Sequence, residues 1–133
     1  KHPDMVRALI LNGGNLNAKG VKRATQIPIE IGYRIAKHFA AKSPGARANA
    51  EMLGLMVNDP KIEPRELSQI TSPTLVICGT GDMIKESHTR EIAANLPQAT
   101  LAIIKGNHFV ANRRPLAFNR EVEKFLNGLA DEA

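Results

Sequence analysis

Two side chains in the second half of the sequence have the types needed for proton transfer. Asp82 closes Cys78-Gly79-Thr80-Gly81-Asp82, directly after an apolar run, and His108 sits in Gly106-Asn107-His108-Phe109, directly after the next one. A carboxylate beside an imidazole can hold one ring tautomer and stabilise the protonated ring, which lets the other ring nitrogen act as a general base. If the two runs are neighbouring parallel strands, they lie roughly 4.8 Å apart. Both residues would then leave the sheet at its carboxyl edge, where open α/β folds bind ligands. The plain alternatives are a turn carboxylate favoured by Gly81 and a solvated loop histidine.

The elements that must position this pair can be read from the hydropathy pattern. Met5–Leu11 is a short apolar run that ends in Asn12-Gly13-Gly14-Asn15. Its pattern suits a strand buried on both faces of a parallel sheet. Leu75–Cys78 and Leu101–Ile104 are the second and third such runs. The segments between them read as helices. Glu86–Leu96 stops before Pro97, and Glu63–Ile70 is a shorter helix with Pro64 near its start. Pro115–Leu129 is the clearest helix, with Phe118, Val122, Phe125, Leu126 and Leu129 along one stripe. The order predicts parallel α/β architecture.

The stretch from Asn15 to Asp59 is too long for a simple crossover and has room for about two helices. Ser43-Pro44 marks one helix start, with Met52, Leu53, Leu55 and Met56 as its apolar face. Ile27–Ala41 alternates like a strand at first and follows helical spacing later. Its length, and Pro28 in a first turn, favour a helix.

Bulk composition narrows the function classes. The chain has 133 residues, which fits one domain, and its 43% hydrophobic content allows a core. The net charge of +5 comes from scattered residues, the densest group being Lys19, Lys22 and Arg23. Aromatics make up only 4% and do not interleave with these cations, so no nucleic-acid partner is expected. The single cysteine, Cys78, excludes an internal disulfide framework and reads as a small buried residue. His88 lies near Asp82 in sequence and could be imagined as a metal ligand with His108, but two histidines and one carboxylate lack local ligand spacing, so no metal is expected. His38 reads as a surface or partly buried helix residue. Gly13-Gly14 matches no phosphate-binding fingerprint and reads as a turn. No run reaches the about 18 apolar residues of a membrane span, and no signal peptide is visible. A cytoplasmic location is the default expectation. Lys1 is not expected to be a natural start.

Taken together, these segments resemble the C-terminal half of an α/β hydrolase. The resemblance rests on His2-Pro3-Asp4-Met5-Val6-Arg7-Ala8-Leu9-Ile10-Leu11, on Ser72-Pro73-Thr74-Leu75-Val76-Ile77-Cys78-Gly79-Thr80-Gly81-Asp82, and on Gly106-Asn107-His108-Phe109. The closing Pro115-Leu116-Ala117-Phe118-Asn119, with Val122, Phe125 and Leu126, adds to it. It implies that the three strands are the sixth to eighth of the family's sheet, and that residues 15–59 form a cap-like helical insertion. It also implies that Asp82 and His108 are two members of a Ser-Asp-His triad acting on an ester or related acyl bond without a cofactor. Family members commonly have Gly-His where this chain has Asn107-His108. The family's nucleophile stands in Gly-x-Ser-x-Gly, a pattern that no serine of this chain has, so the resemblance places it before Lys1. The chain alone is therefore expected to be inactive. A sheet that begins at the Val6–Leu11 strand would also expose that strand's edge, and a homo-oligomer, most simply a two-fold dimer, is expected there. A non-catalytic interaction module on the same scaffold is the competing reading.

Overall fold

The structure, a computed structural model, describes residues 5–131. His2-Pro3-Asp4 of the opening motif lies outside the described residues. The described chain forms two compact units, one made of residues up to Gly14 together with Glu63 onward, the other of Asn15–Ile62.

The first unit is built on a three-stranded parallel sheet in the order β1 (Leu9–Asn12), β2 (Thr74–Gly81), β3 (Ala99–Asn107). The central strand explains the sheet. Leu75, Val76, Ile77 and Cys78 are each no more than 1% exposed, as expected for a strand covered on both faces. Side chains alternate across a strand. Leu75 and Ile77 enter the cluster formed with Ala102, Ile104, Val110 and Phe125. Phe125 comes from the last helix (Pro115–Asp131), whose Phe118, Val122 and Leu129 border the same cluster. The stripe read from the sequence is therefore the face that packs. On the other side, the helix Glu86–Asn95 follows β2 and buries Thr89 and Ile92.

Several boundaries differ from the sequence reading, for physical reasons. The first strand covers only Leu9–Asn12, because β2 offers its first pairing partner, Thr74, opposite Leu9. The residues before Leu9 have no strand to pair with, although the Ser72 hydroxyl donates to the Val6 carbonyl at 2.7 Å. The second and third strands run past their apolar cores to Gly81 and Asn107. Glycines permit this extension. A Cβ on Gly79 would lie 2.4 Å from the Gly106 carbonyl oxygen and 2.5 Å from that of Asn107. The two strand ends thus approach as closely as backbone can, and the register shifts between Gly79 and Gly81. The segment Pro64–Gln69 is a 3-10 helix, its start held by the Glu63 N–H donating to the Glu66 carboxylate at 2.9 Å.

The second unit pairs two helices, α1 (Arg23–Phe39) and α2 (Pro44–Asn58). The helix expected over Ile27–Ala41 is present, but it begins earlier, at Arg23, and ends at Phe39. Pro28 therefore stands inside it and forgoes one backbone hydrogen bond. Ser43 caps α2, its hydroxyl accepting from the Ala46 N–H at 3.4 Å. Small residues let the helices meet: Gly32 faces Leu53 and Gly54 faces the Tyr33 ring. Much of the unit's apolar surface is exposed, including Ile27, Ile31, Ile35 and Phe39 on α1 and Met52, Leu55 and Met56 on α2.

The glycine contacts yield a paired prediction. Gly79→Ala forces its Cβ into backbone and should destabilise the fold by about 3 kcal/mol. Gly128→Ala, in a helix with nothing within 4 Å of the new Cβ, should stabilise it by about 0.5–1 kcal/mol. Urea unfolding of both variants checks the signs, and a tolerated Gly79→Ala would contradict the close approach.

Candidate functional site

Asp82 is the first residue beyond β2. Its N–H donates to the Gly79 carbonyl at 3.1 Å, which turns the chain back over the strand end. Its side chain is buried, only 2% exposed. Oδ1 accepts two hydrogen bonds, from the Ile84 N–H at 2.9 Å and from His108 Nδ1 at 2.8 Å. Oδ2 is buried and has no partner among the described residues.

His108 is the first residue beyond β3. The preceding Asn107 side chain accepts from the Phe109 N–H at 3.0 Å and shapes the turn that leads into the short helix Val110–Arg113. The Phe109 ring stands edge-on to the imidazole, centroids 5.6 Å apart. Gly106, at φ +158°, fits against Val110; a Cβ there would lie 2.8 Å from Val110 Cγ1. The imidazole is partly open to solvent, its side chain 29% exposed.

The chemistry of this contact follows from the groups present. An ionised carboxylate can only accept hydrogen bonds, so the proton between the two residues sits on Nδ1. That tautomer leaves the Nε2 lone pair free to take a proton from a third group. When Nε2 is protonated, the buried negative charge 2.8 Å from the ring offsets the new positive charge. The pair can therefore act as a general base and return the proton as a general acid.

The structure brings together both residues singled out in the sequence. It also adds groups whose place in the site the sequence does not show. Gly13, at φ +59° after β1, lies against the pair: a Cβ there would be 2.7 Å from His108 Cε1 and 3.4 Å from Asp82 Oδ2. The Ile84 N–H is the second donor to Asp82. The usable signal was positional, since each of the three parallel strands carries a glycine at the same edge, namely Gly13, Gly79 and Gly106.

Other candidates do not join the pair. His88 is buried on the helix after β2, with Nδ1 3.3 Å from Glu91. His38 lies exposed on α1, edge-on to Phe39. No group of three His, Cys, Asp or Glu side chains among the described residues could hold a metal ion. No described helix is long and apolar enough to cross a membrane. The serines are engaged or exposed elsewhere. Ser43 caps α2, Ser68 donates to the Arg65 carbonyl, Ser72 donates to the Val6 carbonyl, and Ser87 is exposed at the start of the helix after β2. Cys78 is buried, and burial pushes its thiol up from the ordinary value. A hydrogen bond with Thr89 works against that rise, while the nearby Asp82 and Glu86 carboxylates add to it. It is a protonated core group rather than a nucleophile.

No family model matches the chain, and no curated protein matches it. Solved structures do, and several of them are described as hydrolases, one as an α/β hydrolase. A hydrolase from Pseudomonas aeruginosa PA01 is 25% identical, with a TM-score of 0.62 over 93% of this chain and 57% of its own. A thermophilic esterase is 22% identical, with a TM-score of 0.64 over 96% of this chain and 59% of its own. The enol-lactonase from Burkholderia xenovorans LB400 is 19% identical, with a TM-score of 0.62 over 96% and 58%. The likeness shows the fold: three parallel strands with flanking helices that form part of an α/β-hydrolase fold. The chain spans only 52–60% of the length of the structures it matches.

The thiol gives a direct check on how this edge of the sheet is packed. Because its folded-state value is raised, the neutral form supports the fold fully below the unfolded thiol's value of about 8.5, and that support falls as pH rises beyond it. At pH 8 Cys78 should react with a disulfide reagent at least about 100-fold more slowly in the folded chain than in urea. Equal rates would place the thiol at the surface.

Proposed function

We propose that this chain carries the acid–base part of a hydrolase that acts by nucleophilic catalysis on an ester or related acyl bond. The observation that carries the proposal is the 2.8 Å contact between His108 Nδ1 and the buried Asp82 carboxylate at the carboxyl edge of the sheet. His108 Nε2 takes the proton of a serine hydroxyl as its oxygen attacks the acyl carbon. It then delivers that proton to the leaving alcohol, and a water activated in the same way releases the acid. Asp82 orients the ring and stabilises its charged form. The serine and the amides that bind the oxyanion come from residues outside this chain, as the 52–60% coverage of the similar structures suggests. The printed descriptions of two of those structures, an esterase and an enol-lactonase, support the substrate class.

A fluorophosphonate probe tests the proposal. It should label one serine in the gene product that includes the sequence upstream of Lys1, and none in this chain alone. His108→Ala should slow labelling at least about 10³-fold. The proposal fails if the extended protein keeps its rate without His108, or if this chain alone turns over p-nitrophenyl acetate in a His108-dependent way.

A second reading, a non-catalytic module that associates with its own copy, is favoured by one observation. β1 pairs only with β2 among the described residues, and Val6 just before it and Ile10 within it are 41% and 37% exposed. An open strand edge is a template for further pairing. Sedimentation at micromolar concentration should then show a dimer that Ile10→Lys weakens. A strictly monomeric, cooperatively folded chain would exclude it.

A further inference from the structure

We infer that Gly13 is a positioning residue for His108: the side chain it lacks is what leaves the imidazole room to lie against Asp82. The inference rests on the reading of Asp82 and His108 as an acid–base pair, and its test reads the pair itself rather than turnover.

Four observations converge on Gly13. A Cβ built on it would lie 2.7 Å from His108 Cε1 and 2.9 Å from His108 Nδ1, closer than carbon can approach either atom. Nδ1 is the atom that makes the 2.8 Å bond to Asp82. The Gly13 backbone cannot simply retreat, because its N–H donates to the Ile77 carbonyl at 2.9 Å and continues the β1–β2 ladder. The imidazole has little freedom to yield toward the carboxylate either, since its Nδ1 already stands 2.8 Å from Asp82 Oδ1, and the same Cβ would lie 3.4 Å from the buried Oδ2. A side chain at position 13 must therefore rotate the ring away, and the Nδ1 bond goes with it.

The neighbouring glycine supplies the contrast. A Cβ on Gly14 would meet Leu11 at 3.8 Å and Ile92 at 4.0 Å, ordinary contacts, and its backbone is not left-handed. Gly13 differs in both respects, with φ +59°. Asn tolerates that backbone conformation better than other side chains do. Gly13→Asn therefore isolates the effect of the Cβ from backbone strain.

The test is a double-mutant cycle joined to a proton spectrum of the full chain. Gly13→Asn should lower the urea midpoint strongly in the presence of His108 and much less in a His108→Ala background, where the ring it strikes is gone. The downfield imidazole proton of the unaltered chain, identified by its loss in His108→Ala, should vanish in Gly13→Asn and persist in Gly14→Ala. Equal destabilisation in both backgrounds would overturn the inference, as would a folded Gly13→Asn that keeps the proton. If Gly13→Asn does not fold, Gly13→Asn/His108→Ala must fold for the inference to stand. If the unaltered chain shows no such proton, the pair reading loses its signature and the cycle alone decides the role of Gly13.

Discussion

The close approach of two strand ends governs this structure. Where β2 and β3 finish, the Gly79 backbone lies so near the Gly106 and Asn107 carbonyls that no side chain fits between them. The register shifts at the same place, between Gly79 and Gly81. The close approach fixes where the chain leaves each strand. Asp82 and His108 are the first residues beyond the paired ends, and they emerge as neighbours although 26 positions separate them in sequence. A looser pairing would leave a carboxylate and a histidine on one edge of a sheet without a bond between them.

The rest of the first unit maintains this geometry. The buried run Leu75–Cys78 anchors β2 between the cluster around Phe125 and the helix that buries Ile92. Such a strand can slip by one residue only by reversing every buried side chain, so its register is strongly fixed. The rigid strand in turn makes a buried carboxylate tolerable. Asp82 is only 2% exposed, and it is held by two donors on one oxygen. An isolated buried charge would be costly, and here the cost is offset by hydrogen bonds that also aim the imidazole.

Part of this is legible in the sequence, and the rest is not, for physical reasons. Apolar periodicity located the three strands and the helix Pro115–Asp131, because burial on a sheet face leaves a strong pattern. Strand ends leave no such pattern. Pairing, not hydropathy, decides them: β1 starts where Thr74 can meet Leu9, and β3 continues through the polar Lys105 to Asn107. Asp82 and His108 were legible because polar residues after apolar runs share an edge whenever the strands are parallel. Gly13 was read as a turn, which its φ of +59° bears out, but its contact with the His108 ring joins segments distant in sequence. No local pattern records such a contact.

The central claim is that Asp82 holds His108 in the tautomer whose Nε2 is free to accept a proton. Nitrogen-15 shifts of the His108 side chain test it most directly. The account requires a protonated Nδ1 and an unprotonated Nε2 in the neutral ring, with the pattern lost in Asp82→Ala. A neutral His108 protonated on Nε2, or a pattern indifferent to Asp82, would contradict it.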